Sequence, residues 1–295
     1  MKKSLLFSWT AMFVAYSIAI ISAYLIFEAF KLQYSTIIAL LIADLAATII
    51  IFIASMVLNN SSMYDPYWSV IPPLMVYLFI AEEGAGGNEI RQTLVLILVS
   101  FWAIRLTTNF LRDWPGLIHE DWRYVDFRNN NPKTYWLISF SGIHFFPTLI
   151  VFLACLPAFM ACKSDASLNV LDYLAVLVTF GAVVIEYISD EQMRNYKKRG
   201  NTGPEAIMDK GLWKYSRHPN YFGEVAFWVG LFLFAIAADF SYWWTGAGAL
   251  AMILLFVFIS IPMMDKKMLK KRPGFEKQMK STSALLLLPR KRNEE

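Results

Sequence analysis

Lys214, Arg217 and His218 fall within five consecutive positions of this chain, and Pro219 follows them at once. The surrounding stretch reads Gly211-Leu212-Trp213-Lys214-Tyr215-Ser216-Arg217-His218-Pro219-Asn220-Tyr221-Phe222-Gly223-Glu224 and runs directly into a long apolar segment. Cationic side chains, a proline suited to the first helical position and a helix N-terminus together make an anion site. That site stands at the mouth of a membrane helix, so the chemistry to expect is a polyanionic cofactor held at the membrane surface.

Three further constellations could do chemistry. In Arg105-Leu106-Thr107-Thr108-Asn109-Phe110-Leu111-Arg112, the residues Arg105, Asn109 and Arg112 recur at helical spacing and share one face. An arginine inside a membrane helix either snorkels to the surface or meets an anionic partner. His119-Glu120-Asp121-Trp122-Arg123-Tyr124 offers acids, a base and aromatic faces, or an interfacial aromatic belt with solvated ion pairs. Glu186 and Asp190 share a face just before Lys197, Lys198 and Arg199. They suit ribose hydroxyls, a carboxamide, or a salt bridge to an arginine.

Tyr64-Asp65-Pro66-Tyr67-Trp68 precedes another apolar run. There Asp65 is expected to cap the next helix, while Tyr and Asp beside a membrane pocket could polarise a carbonyl. Asp44 and His144 lie deeper, each open to a packing role or a substrate contact.

The elements that must position these groups are membrane helices. The 295 residues are 57% hydrophobic and 17% charged, against about 25% charged in soluble domains. Eight apolar segments run near 5–27, 36–58, 68–82, 93–111, 134–160, 168–189, 220–238 and 241–264. Most reach the roughly 20 residues that cross a bilayer as helix, and they do not alternate as strands would. The expected fold is an all-α, polytopic integral membrane bundle of about eight transmembrane helices, forming a single domain over 1–295.

If eight spans alternate, all but four of the 27 Lys and Arg fall on one side, including Lys2, Lys3 and the run from Lys266 to Arg292. The exceptions are Lys31, Arg91, Lys163 and Arg105. This bias puts both termini in the cytoplasm. The net charge of +4 then reflects orientation and anionic lipid, with no nucleic-acid partner expected.

Metal chemistry finds no CxxC or HExxH pattern, and no metal is expected. Cys155 and Cys162 are seven apart on one apolar segment, a spacing that does not suit a disulfide. Gly84-Ala85-Gly86-Gly87 reads as a turn.

The Arg217–Glu224 segment, Ser189-Asp190 with its basic tail, and Arg272-Pro273-Gly274-Phe275-Glu276 with Pro289 resemble the membrane steroid 5-alpha-reductase superfamily. Within it they are most similar to the bacterial DUF1295 branch, over about 65–290. Isoprenylcysteine carboxyl methyltransferases share a very similar basic-His-Pro-aromatic-Gly-Glu element.

The reductase resemblance implies NADPH-dependent reduction of a carbon–carbon double bond conjugated to a carbonyl in a lipid-like or small hydrophobic substrate. It implies cofactor contacts at Arg105, Asn109, Asp190, Lys197, Tyr215, Arg217, His218, Asn220 and Glu224, with Arg112 and Tyr221 beside them. The family's early Gln-Glu pair is missing here. Trp102 stands where the family has a tyrosine, and Phe275-Glu276-Lys277-Gln278 where relatives carry tyrosines. The candidates for the catalytic acid are therefore Tyr64, Asp65 and Tyr124. Two alternatives belong to other classes: an S-adenosylmethionine-dependent membrane methyltransferase, and a non-enzymatic lipid-binding membrane protein. The expected location is a bacterial inner membrane, with the cofactor site facing the cytoplasm.

Overall fold

A computed structural model describes residues 4–201 and 203–290. Lys2, Lys3 and Arg292 of the charge argument, and both termini, lie outside the described residues. The fold is helical throughout, with no β-strand among the described residues and one isolated bridge, Ser216 to Ser283.

Among the described residues ten helices succeed one another: α1 Leu5–Phe30, α2 Thr36–Leu58, α3 Tyr67–Glu83, α4 Glu89–Asp113, α5 Trp122–Asn130, α6 Tyr135–Lys163, α7 Val170–Lys198, α8 Pro219–Ala238, α9 Phe240–Lys271 and α10 Phe275–Ser281. Seven of them (α1, α2, α4, α6, α7, α8 and α9) are long and apolar enough to cross a membrane, as expected of an integral membrane protein. α3, with Pro72 and Pro73 inside it, is the short eighth segment.

The chain forms two compact units. The first comprises the described residues through Cys155 together with Cys162–Asp165, and the second Leu156–Ala161 with the described residues from Ala166 onward.

In the first unit α2 ends where Asn59 turns left-handed (φ 53°), a conformation asparagine tolerates. Asn60 then accepts the Ser62 N–H at 2.9 Å and starts a single tight turn, Ser61–Tyr64. This turn presents Tyr64 and Asp65. The cap of α3 is Pro66, with no side-chain hydrogen bond, so Asp65 does not cap that helix. Its carboxylate accepts from Tyr124 instead. α5 arises within the loop expected at 112–133 because Asp121 accepts the Arg123 N–H at 2.9 Å and caps it. In α6 the residues Ser139–Phe145 form a π-helical stretch. One extra residue in a turn rotates the remainder of the helix by about 100°.

In the second unit a reciprocal capping box, Asn169 with Asp172, opens α7. α8 packs along α7. Gly223 and Gly230, two turns apart, permit that approach. A Cβ on Gly223 would strike Glu186 Cγ and lie 2.8 Å from the Ala182 carbonyl oxygen; one on Gly230 would strike Thr179 Oγ1 and lie 2.9 Å from its amide nitrogen. Small residues allow helices in lipid to close to backbone contact. The glycine of the Phe222-Gly223-Glu224 element is thus explained by packing. Cys155 and Cys162 are both free and buried.

Candidate functional site

In the first unit, Tyr64 is buried among hydroxyls. Its Oη lies 2.8 Å from Thr148 Oγ1, which lies 2.9 Å from Thr48 Oγ1. Its ring packs against Tyr67 (5.3 Å between centroids) and His144 (4.9 Å). Tyr67 donates to Asp44 Oδ1 at 2.7 Å, so Asp44 is held by a phenol. His144 Nδ1 lies 2.8 Å from the Ser139 carbonyl oxygen, and its Nε2 lies 3.0 Å from Ser55 Oγ. Since a carbonyl only accepts, Nδ1 carries a proton.

Asp65 receives the Tyr124 hydroxyl at 2.6 Å. Two constellations far apart in sequence, Tyr64–Trp68 and His119–Tyr124, therefore meet. Further bonds join the same segments: Ser61 N–H to Glu120 Oε1 at 2.7 Å, Asp121 N–H to Ser62 Oγ at 2.9 Å, and Asn60 Nδ2 to the His119 carbonyl at 2.8 Å. Glu120 also accepts from Tyr135 (3.0 Å) and Arg128 (3.0 Å), while the His119 side chain is exposed. Arg105, Asn109 and Arg112 lie on α4 as expected, Arg105 and Asn109 half-buried and Arg112 exposed. Trp102 is fully buried.

Burial pushes the Asp65 carboxyl from 3.8 up to about 7, against the opposing pull of the Arg123 guanidinium. Burial, reinforced by the Asp65 carboxylate, raises Tyr124 well above its ordinary value, so it remains the donor of the pair. Tyr64 is raised too, chiefly by burial.

A carboxyl that binds its proton more tightly folded than unfolded stabilises the fold below the unfolded value. That contribution is lost as pH rises through the folded value. Between about pH 4 and pH 7 Asp65 should therefore make stability fall with pH, at most by about 1.4 kcal/mol per unit. Asp65→Asn cannot ionise and still accepts from Tyr124. Its thermal melts should show a flatter pH slope than the native protein; equal slopes would place the titration on another group.

In the second unit the basic motif clamps the C-terminal segment. Arg217 donates to Asp265 Oδ2 at 2.6 Å, to the Thr282 carbonyl at 2.8 Å and to the Met279 carbonyl at 3.2 Å. His218 Nε2 lies 2.9 Å from Asp265 Oδ1, and its ring stacks on Tyr221 at 5.2 Å. The Arg217 N–H donates to the Ser283 carbonyl (2.9 Å), the Leu288 N–H to the Tyr215 carbonyl (3.1 Å), and Ser216 Oγ to the Leu285 carbonyl (2.8 Å).

Around this clamp, Asn220 Nδ2 donates to Asp190 Oδ1 at 3.3 Å and Trp228 Nε1 to Glu224 Oε1 at 2.9 Å. Trp213 Nε1 reaches the Ser189 carbonyl at 3.0 Å, and Gln192 accepts the Leu212 N–H at 3.0 Å. The second unit thus brings Asp190, Tyr215, Arg217, His218, Asn220, Tyr221 and Glu224 around one helix start, with Lys197 exposed at the end of α7.

The sequence reading missed Asp265. The available signal was that it is the only acidic residue between Phe240 and Phe275, inside a basic run. Thr48, Thr148, Ser61 and Tyr135 were also missed, and nothing in local spacing marks them.

Comparison with known proteins gives a family and distant relatives. The family described as "Protein of unknown function (DUF1295)" matches residues 51–282. An uncharacterized protein of Schizosaccharomyces pombe is 28% identical over 211 residues, which is 63% of this chain and 61% of that protein. The human protein named 3-oxo-5-alpha-steroid 4-dehydrogenase 1 is 33% identical over 125 residues, 37% of this chain and 45% of the relative. Its Macaca fascicularis counterpart is 33% identical over the same length, covering 44% of the relative. The matched region thus spans less than two thirds of each of these relatives. No solved structure matches.

Proposed function

The chain belongs to the DUF1295 family, and from that premise we propose that it is a membrane reductase acting on a carbon–carbon double bond conjugated to a carbonyl, in a hydrophobic, lipid-like substrate, with NADPH as cofactor. In the steroid dehydrogenase relatives, a 4-dehydrogenation of a 3-oxo steroid creates a double bond conjugated to the ketone. Reduction of such a bond is the reverse. The observation in this chain that carries the reading is the buried Tyr64 phenol, hydrogen-bonded to the Thr148 hydroxyl, which Thr48 bonds in turn.

The residues around the start of α8 suit a phosphorylated, polyhydroxylated ligand. Lys197, Lys214 and Tyr215 are exposed, and the Asn220–Asp190 pair offers an amide and a carboxylate. Arg217 Nε is a buried donor with no acceptor among the described residues, although the guanidinium's other nitrogens are engaged. Lys197 and Lys214 would meet phosphate, while Asp190 and Asn220 would meet ribose or carboxamide. Arg105, Asn109 and Arg112, implied by the same resemblance, belong to the first unit and are tested by their own substitutions. When bound, NADPH supplies a hydride to the β-carbon.

The chain's own part is to stabilise and protonate the carbonyl oxygen as it gains negative charge. Tyr64, kept protonated by burial, is the donor in this proposal. Asp65 and Tyr124, with a carboxyl that titrates near neutrality, are placed in the chain segments that resupply the proton. In this reading the basic loops at 112–133 and 190–219 face the cytoplasm. The reading is tested by adding a panel of lipid-soluble enones to purified protein with NADPH. Loss of NADPH absorbance that depends on both enone and protein supports it. No turnover across saturated and unsaturated ketones and lipids counts against it.

A further inference from the structure

Thr148 has one hydroxyl proton and three neighbours for it. Its Oγ1 lies 2.9 Å from the His144 carbonyl oxygen, 2.8 Å from Tyr64 Oη and 2.9 Å from Thr48 Oγ1. The carbonyl can only accept. When Thr148 donates to it, Tyr64 and Thr48 must both donate to Thr148. The Tyr64 proton is then stored against Thr148. Rotation of one hydroxyl, with no heavy atom moving, reverses this: Thr148 donates to Tyr64 Oη and the phenol proton is released from Thr148. Thr148, Tyr64 and Thr48 are 2%, 3% and 1% exposed, so bulk water does not compete for these bonds. The π-helical stretch at Ser139–Phe145 sets the register in which α6 offers Thr148 to Tyr64.

We propose that Thr148 is a positioning residue that switches Tyr64 between a storing state, with its proton given to Thr148, and a donating state, with Thr148 bonded to the phenol oxygen and the Tyr64 proton directed at a substrate carbonyl. The proposal rests on Tyr64 being the donor in the proposed reduction. In the donating step the Tyr64 O–H bond breaks and the carbonyl oxygen gains its proton; the hydride at the β-carbon would come from the reduced nicotinamide, which would be oxidised, and the enol so formed would pass to the ketone by proton exchange in solution. The phenolate left behind accepts from Thr148, whose oxygen in turn accepts from Thr48, and its proton is resupplied through the segments that carry Asp65 and Tyr124. That donated hydrogen bond, reinforced by the one Thr48 gives to Thr148, makes the phenolate easier to form than burial alone allows. The carboxyls near Tyr64 are Asp44, bonded to Tyr67, and Asp65, bonded to Tyr124. Substitution at Thr148 leaves both in place.

The test uses the full chain in detergent with a polyfluorinated tyrosine at position 64, whose phenol ionises at accessible pH. Its ionisation is followed by fluorine NMR in the native background, in Thr148→Val and in Thr148→Ser. Loss of the donated bond should raise the midpoint in Thr148→Val by about one pH unit, a tenfold change in the equilibrium. Thr148→Ser should restore it. An unchanged midpoint in Thr148→Val, or a serine variant shifted as far as valine, would overturn the switch. With an enone substrate, Thr148→Val should lower kcat about tenfold or more at nearly constant KM. Absence of turnover in the native protein would overturn the reductase reading, and the midpoints would still decide the switch.

Discussion

Tyr64→Phe is expected to lower kcat for enone reduction by about 10²- to 10⁴-fold, the usual contribution of a positioned proton donor, with KM nearly unchanged. The substitution removes one oxygen and leaves the ring between Tyr67 and His144, at 5.3 Å and 4.9 Å. Thr48 and Thr148 keep their mutual bond of 2.9 Å, so no polar atom of theirs is orphaned. The cost in stability should be that of one hydrogen bond, about 1 kcal/mol. A kcat within tenfold of the native value, in protein that melts normally, would remove Tyr64 from the chemistry.

The second large effect is structural. Asp265→Ala should destabilise the second unit by about 3–5 kcal/mol, because it strands a buried guanidinium. Asp265 and Arg217 side chains are 9% and 8% exposed, and Asp265 also holds His218. The C-terminal segment should loosen with it, since Arg217 donates to the carbonyls of Met279 and Thr282. Limited proteolysis should then cut within 275–288 in the variant and not in the native protein. The double variant Asp265→Leu with Arg217→Met should recover part of the loss, because no charge remains unpaired. Equal protease resistance in Asp265→Ala would show that the clamp contributes little. The same geometry changes what Arg217→Ala can report: lost cofactor binding in that variant would follow from a detached C-terminal segment as readily as from a lost phosphate contact.

The membrane helices were legible because apolar runs of bilayer length admit one structure; the segment read as 36–58 is the helix Thr36–Leu58. The gathering of Asp190, Arg217, His218, Asn220 and Glu224 was legible as well, because most of them lie within eight residues at a helix start. Asp65 was misjudged as a cap. Local sequence offered it an N-cap position, and a partner 59 residues away, Tyr124, took the carboxylate instead. α5 was hidden by its polarity. The pairing of Tyr64 with Thr148, 84 residues on, depends on a π-helical register that no hydrophobic pattern announces. Asp265 was visible as a residue but not as a role, because only the folded chain brings it to Arg217.

The most direct measurement is cofactor binding by calorimetry on the detergent-purified chain, titrating NADPH, NADH and S-adenosylmethionine in parallel at two salt concentrations. Lys197→Glu and Asn220→Ala are the variants, since Lys197 is exposed and Asn220 is only half-buried, at the start of α8. The account predicts saturable, salt-sensitive binding of NADPH, weakened about tenfold or more in each variant. Binding of S-adenosylmethionine alone, or of none of the three, would contradict it.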